Sequence, residues 1–153
     1  MNHKNNDLLY LEDLHVGQRF TSSVYELSEE QIKAFAAEFD PQPFHLDDAA
    51  AQNSVFRGLA ASGWHTAAIT MRLLVTGKMR FAAGTIGLGV ELEWLLPVRL
   101  GDRLHVESEI TDILPSRTKA DRGVVTVRSV TFNQDEDEVQ RLISKVLVFR
   151  RSR

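Results

Sequence analysis

The chain contains no cysteine. That excludes disulfides, zinc–thiolate centres and a thiol nucleophile, and it removes any reason to infer an oxidising compartment. Long apolar runs are also missing. No stretch approaches the roughly 18 residues that a membrane-spanning helix needs. The first residues, Met1 to Asp7, are polar and do not form the apolar core of a signal peptide. The expected location is the cytoplasm. An excess of positive charge is lacking too. With 18 Lys and Arg against 21 Asp and Glu, the formal net charge is -3, so nothing draws the protein generally to nucleic acid or to a membrane surface. The basic end Arg150, Arg151, Ser152, Arg153 reads as a solvated terminus after a last strand. Repeats, low-complexity segments and linkers are absent as well.

What is there suits one soluble globular domain spanning 1-153, since 153 residues with 43% hydrophobic content can bury a real core. The first half reads as helical. Ser28 followed by Gln31 is a capping-box signature, and Ile32, Phe35, Ala36 and Phe39 then mark one apolar helix face. Pro41 biases Asp40 away from helical dihedrals, so this helix ends there. A second helix is expected from Ser62 or Gly63 to a stop at Gly77. Trp64, Ala67, Ala68 and Met71 form its apolar face, and Ile69, Leu73 and Leu74 widen it nearly all round. Such breadth implies burial on most sides.

The second half alternates as strands do. Leu88, Val90, Leu92 and Trp94 interleave with Gly87, Gly89, Glu91 and Glu93, and Leu104, Val106, Ser108 and Ile110 with Arg103, His105, Glu107 and Glu109. The runs Gly123 to Phe132 and Val139 to Phe149 are rich in β-branched residues. Gly101-Asp102 marks a turn between the first two long strands, and the acidic stretch Asp135 to Glu138 reads as a hairpin loop. Half-apolar antiparallel strands curling round one long apolar helix make an α+β arrangement.

The segment from Phe39 to Trp64 carries the chemistry. Asp40 and His45 stand beside two prolines, Pro41 and Pro43, each of which fixes a φ angle and stiffens the loop. A carboxylate can take a proton from water and an imidazole can hold or relay it, provided that the geometry is fixed. Asp40 lies at a helix C-terminus, whose negative dipole end is expected to raise its pKa. Against this stands a plainer reading, since Asp before Pro is common at helix ends and a loop histidine is usually just polar. Ser62-Gly63 opens the second helix. The unpaired N–H groups of its first turn can face a developing oxyanion, and glycine allows close approach. The plainer reading is N-capping by Ser62. Asp47 and Asp48 resemble a cap for the short segment Ala49 to Gln52. His65 either touches the site or packs beside it, His105 is expected in solvent, and His3 and His15 fit no pattern. No metal-ligand template fits.

These motifs resemble the MaoC-like acyl dehydratases, which include the (R)-specific enoyl-CoA hydratases. Asp40, Pro41, Gln42, Pro43, Phe44, His45 matches the family's hydratase motif, Gly63 its helix-start glycine, and Gly89, Trp94, Pro97, Val98, Gly101, Asp102 its later signature. The resemblance covers about Leu11 to Arg150. It implies the hot-dog fold, an antiparallel sheet wrapped round one long helix. It also implies reversible hydration of a 2-enoyl-CoA, with Asp40, His45 and Gly63 catalytic and Gln42, Pro43, Ser62, Trp64, Gly87 and Gly89 binding substrate. Met71 falls where the acyl chain is faced. Gln42 replaces the family's frequent Asn, and Pro41 a frequent Tyr. No metal and no redox cofactor is implied, with coenzyme A or an acyl carrier protein arriving as part of the substrate. The resemblance further implies a homodimer. The strand from Thr85 to Leu96 is its candidate edge, with the Leu88 to Trp94 face packed on its own helix. Two other readings compete: a hot-dog acyl-CoA thioesterase, and a non-catalytic acyl-CoA-binding protein.

Overall fold

The computed structural model describes residues 8–152. A 3-10 turn at Leu11–Asp13 precedes two short strands, β1 (Arg19–Thr21) and β2 (Tyr25–Glu26). Three helices follow: α1 (Glu29–Phe39), α2 (Pro43–Leu46) and α3 (Asp48–Gln52). The long helix α4 (Gly63–Thr76) comes next, and then four long strands, β3 (Ile86–Trp94), β4 (Arg103–Pro115), β5 (Arg122–Phe132) and β6 (Glu138–Phe149). The strands form one antiparallel sheet in the order β1-β4-β5-β6-β3, with β2 also beside β4. Ile69, Leu73 and Leu74 of α4 join Val106, Ile110, Val125, Val127, Val146 and Val148 of the sheet in one apolar cluster. This is the expected hot-dog arrangement.

Local chemistry sets the element ends. Ser28 Oγ accepts from the Gln31 amide at 3.1 Å and Gln31 Oε1 accepts from the Ser28 amide at 2.9 Å, closing the capping box of α1. The helix stops at Asp40, whose φ of -150° and ψ of 67° lie outside the helical region, as the following proline requires. Asp47 Oδ1 accepts from the Ala49 amide at 2.9 Å and caps α3. Helix α4 runs to its C-cap at Gly77. Between β5 and β6, Asn133 Oδ1 accepts from the amides of Asp135 and Asp137 and shapes the acidic loop. Among the described residues no helix is long and apolar enough to cross a membrane.

Several expectations need correction. The Gly101 turn lies between the first two long strands as expected, with φ at 80°, and those two strands are not neighbours in the sheet. Strand β3 lies at one edge beside β6, whereas β4 sits near the other. The face of α4 carrying Trp64 and Met71 points outward, and these residues are 61% and 43% exposed. The buried face is His65, Thr66, Ile69, Thr70, Leu73 and Leu74, because the sheet curls round that side and can satisfy its threonine hydroxyl. Leu88 and Val90 do not pack on their own helix. They are 56% and 61% exposed, because the helix packs against the inner strands and leaves the edge strand uncovered. The basic tail is tied down: Arg151 forks onto Asp13 at 2.8 and 2.7 Å and Arg150 pairs with Glu12 at 3.6 Å. His105 is half-buried, stacked on Phe132 with ring centres 5.3 Å apart. His3 and Arg153 fall outside the described residues.

Candidate active site

Asp40 and His45 are brought together by two helix ends. Asp40 is the C-cap of α1. The prolines do not leave a loop between them, because Pro43 starts the short helix α2, with Gln42 as its N-cap, and His45 sits on that helical turn. Proline suits this first position, since its missing N–H would have no helical partner there. His45 Nε2 lies 3.3 Å from Asp40 Oδ2. His45 is buried, with the Phe44 ring edge-on at 4.6 Å and Phe56 at 6.1 Å. Its Nδ1 is 2.6 Å from the carbonyl oxygen of Ala60. A carbonyl can only accept, so Nδ1 carries a proton and donates to it, which leaves Nε2 facing the Asp40 carboxylate.

Asp40 is equally fixed. Ser62 Oγ donates to Oδ2 at 2.7 Å and Gln42 Nε2 donates to Oδ1 at 2.5 Å. Burial pushes the Asp40 carboxyl up, but the Ser62 and Gln42 hydrogen bonds and the neighbouring His45 outweigh it and hold the group below its ordinary value. The expected upward shift from the helix dipole is therefore corrected: two donors that stabilise the anion win. The carboxylate is ionised at neutral pH and can only accept. Ser62 does not cap α4, because its side chain makes no capping bond. The hydroxyl serves Asp40 instead.

Gly63 is the first residue of α4, where N–H groups lack helical partners. Its missing side chain has a reason the sequence did not reveal. A Cβ there would meet the Trp94 indole at 2.5 to 2.9 Å. That indole donates through Nε1 to Gln140 Oε1 at 3.1 Å, Gln140 Nε2 donates to Thr70 Oγ1 at 2.9 Å, and Thr70 bonds Thr131 at 2.7 Å. Trp64 meets Trp94 edge-on at 5.1 Å. Gln140, Thr70 and Thr131 are fully buried. Their one sequence signal is a polar residue at an inward position.

The structure does not bring every candidate to this corner. Gly87 and Gly89 lie on exposed β3, with open space where a side chain would stand. At a strand rise of about 3.3 Å per residue, Gly89 is roughly 17 Å along β3 from Trp94. His65 packs: its ring stacks on Phe35 at 4.5 Å and its buried Nδ1 has no hydrogen-bond partner. Burial lowers its pKa and keeps it neutral. A groove of about 270 Å³ lined by Arg19, Glu107, Arg128 and Phe132 lies on the outer sheet face, away from Asp40. Part of its charge is already matched, since Arg19 pairs with Glu109 at 3.7 Å. Among the described residues no group of three or more His, Asp or Glu could hold a metal ion.

Comparison with known proteins identifies the family. A family model described as a MaoC like domain matches residues 14–133. A solved MaoC-like dehydratase from Rhodospirillum rubrum superposes with a TM-score of 0.93 and is 58% identical, covering 95% of this chain and 99% of that one. An (R)-specific enoyl-CoA hydratase of Aeromonas caviae is 32% identical over 80% of this chain and 87% of its own length. A 3-hydroxybutyryl-CoA dehydratase of Methylorubrum extorquens is 31% identical over 74% of this chain and 71% of its own.

Proposed function

This chain belongs to the MaoC-like dehydratase family, and on that premise we propose that it interconverts a 2-enoyl thioester and a 3-hydroxyacyl thioester, with Asp40 and His45 as its proton-handling pair. The observation that carries the reading is the fixed geometry of the pair: an ionised carboxylate held by Ser62 and Gln42, and beside it an imidazole whose Nδ1 proton is committed to the Ala60 carbonyl. A carboxylate oxygen and an imidazole nitrogen 3.3 Å apart can hold one water molecule between them. As the water oxygen bonds to C3, one of its protons passes to the dyad and a proton is returned to C2. The double bond is consumed and a 3-hydroxyacyl thioester results. Dehydration is the reverse.

The electron pair displaced from the double bond collects on the thioester carbonyl as an enolate. The N–H of Gly63, at the positive end of α4, stabilises it. Trp94 and Trp64 stand beside that helix end. Gln42 and Ser62 bind substrate indirectly by orienting Asp40, and Pro43 by placing His45. The acyl group arrives on coenzyme A or an acyl carrier protein.

The active form is a homodimer. Leu88, Val90 and Trp94 on the edge strand and Trp64 and Met71 on the adjoining helix are exposed in the single chain. A second copy pairing along β3 covers them. Gly87 and Gly89 then lie where the pantetheine arm passes between subunits.

The test mixes purified protein with crotonyl-CoA and a panel of longer and branched enoyl-CoAs and follows the enoyl absorbance. Loss of absorbance without thiol release is expected. Thiol release from saturated acyl-CoA, with no hydration, would make the protein a thioesterase. Binding without turnover would make it a non-catalytic acyl-CoA-binding protein.

A further inference from the structure

The backbone from Ser54 to Ser62 belongs to no helix or strand. It nevertheless has to hold one atom still, the Ala60 carbonyl oxygen that sets the His45 ring. Arg57 in the same stretch adopts a φ of 52°, a left-handed conformation that costs a residue with a side chain some energy. The stretch is therefore held from outside: the Gly58 amide donates to the Ala51 carbonyl at 3.0 Å and the Ala60 amide to the Phe44 carbonyl at 3.3 Å, and one side chain adds three further hydrogen bonds. Arg99 Nη1 donates to the Gly58 carbonyl at 2.8 Å and, less closely, to that of Leu59 at 3.3 Å, while Nη2 donates to the Phe56 carbonyl at 2.5 Å. The next residue along is Ala60.

The base of this clamp is rigid. The Arg99 amide donates to Asp102 Oδ2 at 2.9 Å, Gln134 Nε2 donates to Asp102 Oδ1 at 3.0 Å, and the Val98 carbonyl accepts from the Ala61 amide at 2.8 Å. The stretch Pro97 to Asp102, visible in the sequence but given no part in the reaction so far, thus holds the loop on both sides of Ala60. Among the described residues no carboxylate pairs with the Arg99 guanidinium. Its donors are spent on neutral carbonyls, and a planar fork reaches several of these at once where an ammonium cannot.

We propose that Arg99 is a positioning residue for the reaction: by gripping the carbonyls of Phe56, Gly58 and Leu59 it sets the Ala60 carbonyl against His45 Nδ1, and so keeps the His45 tautomer whose Nε2 is free to take a hydrogen bond from water. This rests on the hydratase reading for its kinetic consequence, but not for its effect on the imidazole.

Two variants of the full chain test it, Arg99→Lys and Arg99→Met, each with two readouts. Misplacement of a catalytic group by about 1 Å costs on the order of 10²-fold, and kcat is expected to fall by up to that much while KM changes little. Imidazole NMR, with the His45 signal assigned by its absence in His45→Gln, should show the Nδ1–H tautomer in the parent and a mixture in the variants. A variant that melts earlier but keeps kcat and the parent tautomer would overturn the proposal and leave Arg99 a loop staple. A change in KM alone would overturn it too. If Arg99→Met fails to fold, Arg99→Lys decides, since it keeps the charge and loses the fork. If the parent hydrates no enoyl thioester, the hydratase reading fails, and the tautomer still decides the role of Arg99: lost in the variants it supports the clamp, retained it refutes it.

Discussion

The corner around Asp40 and the outer face formed by α4 and β3 are built in opposite ways. In the corner the acid and the imidazole are held by partners inside the chain: Asp40 has Ser62 and Gln42, and His45 has Ala60. On the outer face large apolar side chains stand open, with Val90 and Trp64 each 61% exposed. A finished polar site beside an unfinished apolar one suggests a division of labour. Under the proposed reaction the proton chemistry is prepared within one chain, while the apolar surface is completed by a second copy.

The comparison breaks most sharply at the dyad. Asp40→Asn and His45→Ala are each expected to lower hydration of an enoyl thioester by about 10²–10⁴-fold with an unchanged circular dichroism spectrum. Full activity in either would remove the corner's claim to the chemistry. Next comes Gly63→Val. Its Cβ would displace the Trp94 indole and crowd the thioester carbonyl. Loss of one oxyanion donor typically costs about 10²–10³-fold, and a folded, fully active Gly63→Val would show that this amide plays no such part.

The outer face is tested by assembly. Light scattering of the parent should give a dimer or a multiple of it, and Val90→Arg should shift that toward monomer and lower activity with it. A strictly monomeric parent with full turnover would separate assembly from function. A subtler effect is expected from Ser62→Ala. Asp40 is held below its ordinary value, so its ionised form, and whatever stability that form adds, is present above the unfolded-state value of about 3.9 and is lost only as pH falls through the lower folded value. Removing the Ser62 donor should move the acid limb of activity up the pH scale and leave turnover at neutral pH much less affected; an unmoved limb would show that the hydrogen bond does not tune Asp40. The smallest change is Asp47→Ala, which removes the α3 cap beside the corner. It should cost about 1 kcal/mol in chemical denaturation with kcat unaltered, marking where the catalytic part of the corner ends.

What the sequence made legible was local. Ser28 with Gln31, Pro41 after Asp40, Asp47 before a short helix and Gly77 at the end of α4 each act within one helical turn, and each is where it was expected. The long strands were legible from alternation, but β1 and β2, at three and two residues, are too short to show a period. Periodicity also finds two faces of a helix without saying which one meets the sheet, which is why the outward face of α4 was misread. The site's second half was hidden for the same reason. Ser62 serves an aspartate 22 residues away, and Gln140 reaches Thr70 across 70 residues. The downward shift of Asp40 follows from one such distant donor, Ser62, together with Gln42 two residues away, whose amide does not announce in the sequence that it turns back onto the carboxylate.

The buried line from Trp94 through Gln140 and Thr70 to Thr131 constrains how this protein can change over generations. Replacing Thr70 alone by valine strands the Gln140 amide in the core, a desolvation cost of roughly 1–3 kcal/mol. Replacing both partners by apolar residues of similar shape can be nearly neutral. The positions should therefore show strong epistasis, with a double-mutant cycle on Thr70→Val and Gln140→Leu returning a coupling well outside additivity; simple additivity would mean that the line is three separate contacts. Because the indole at its end rests on Gly63, drift in the core interior also reaches the first residue of α4, the proposed oxyanion donor. A lineage altering its substrate range has a route there that leaves Asp40 and His45 untouched.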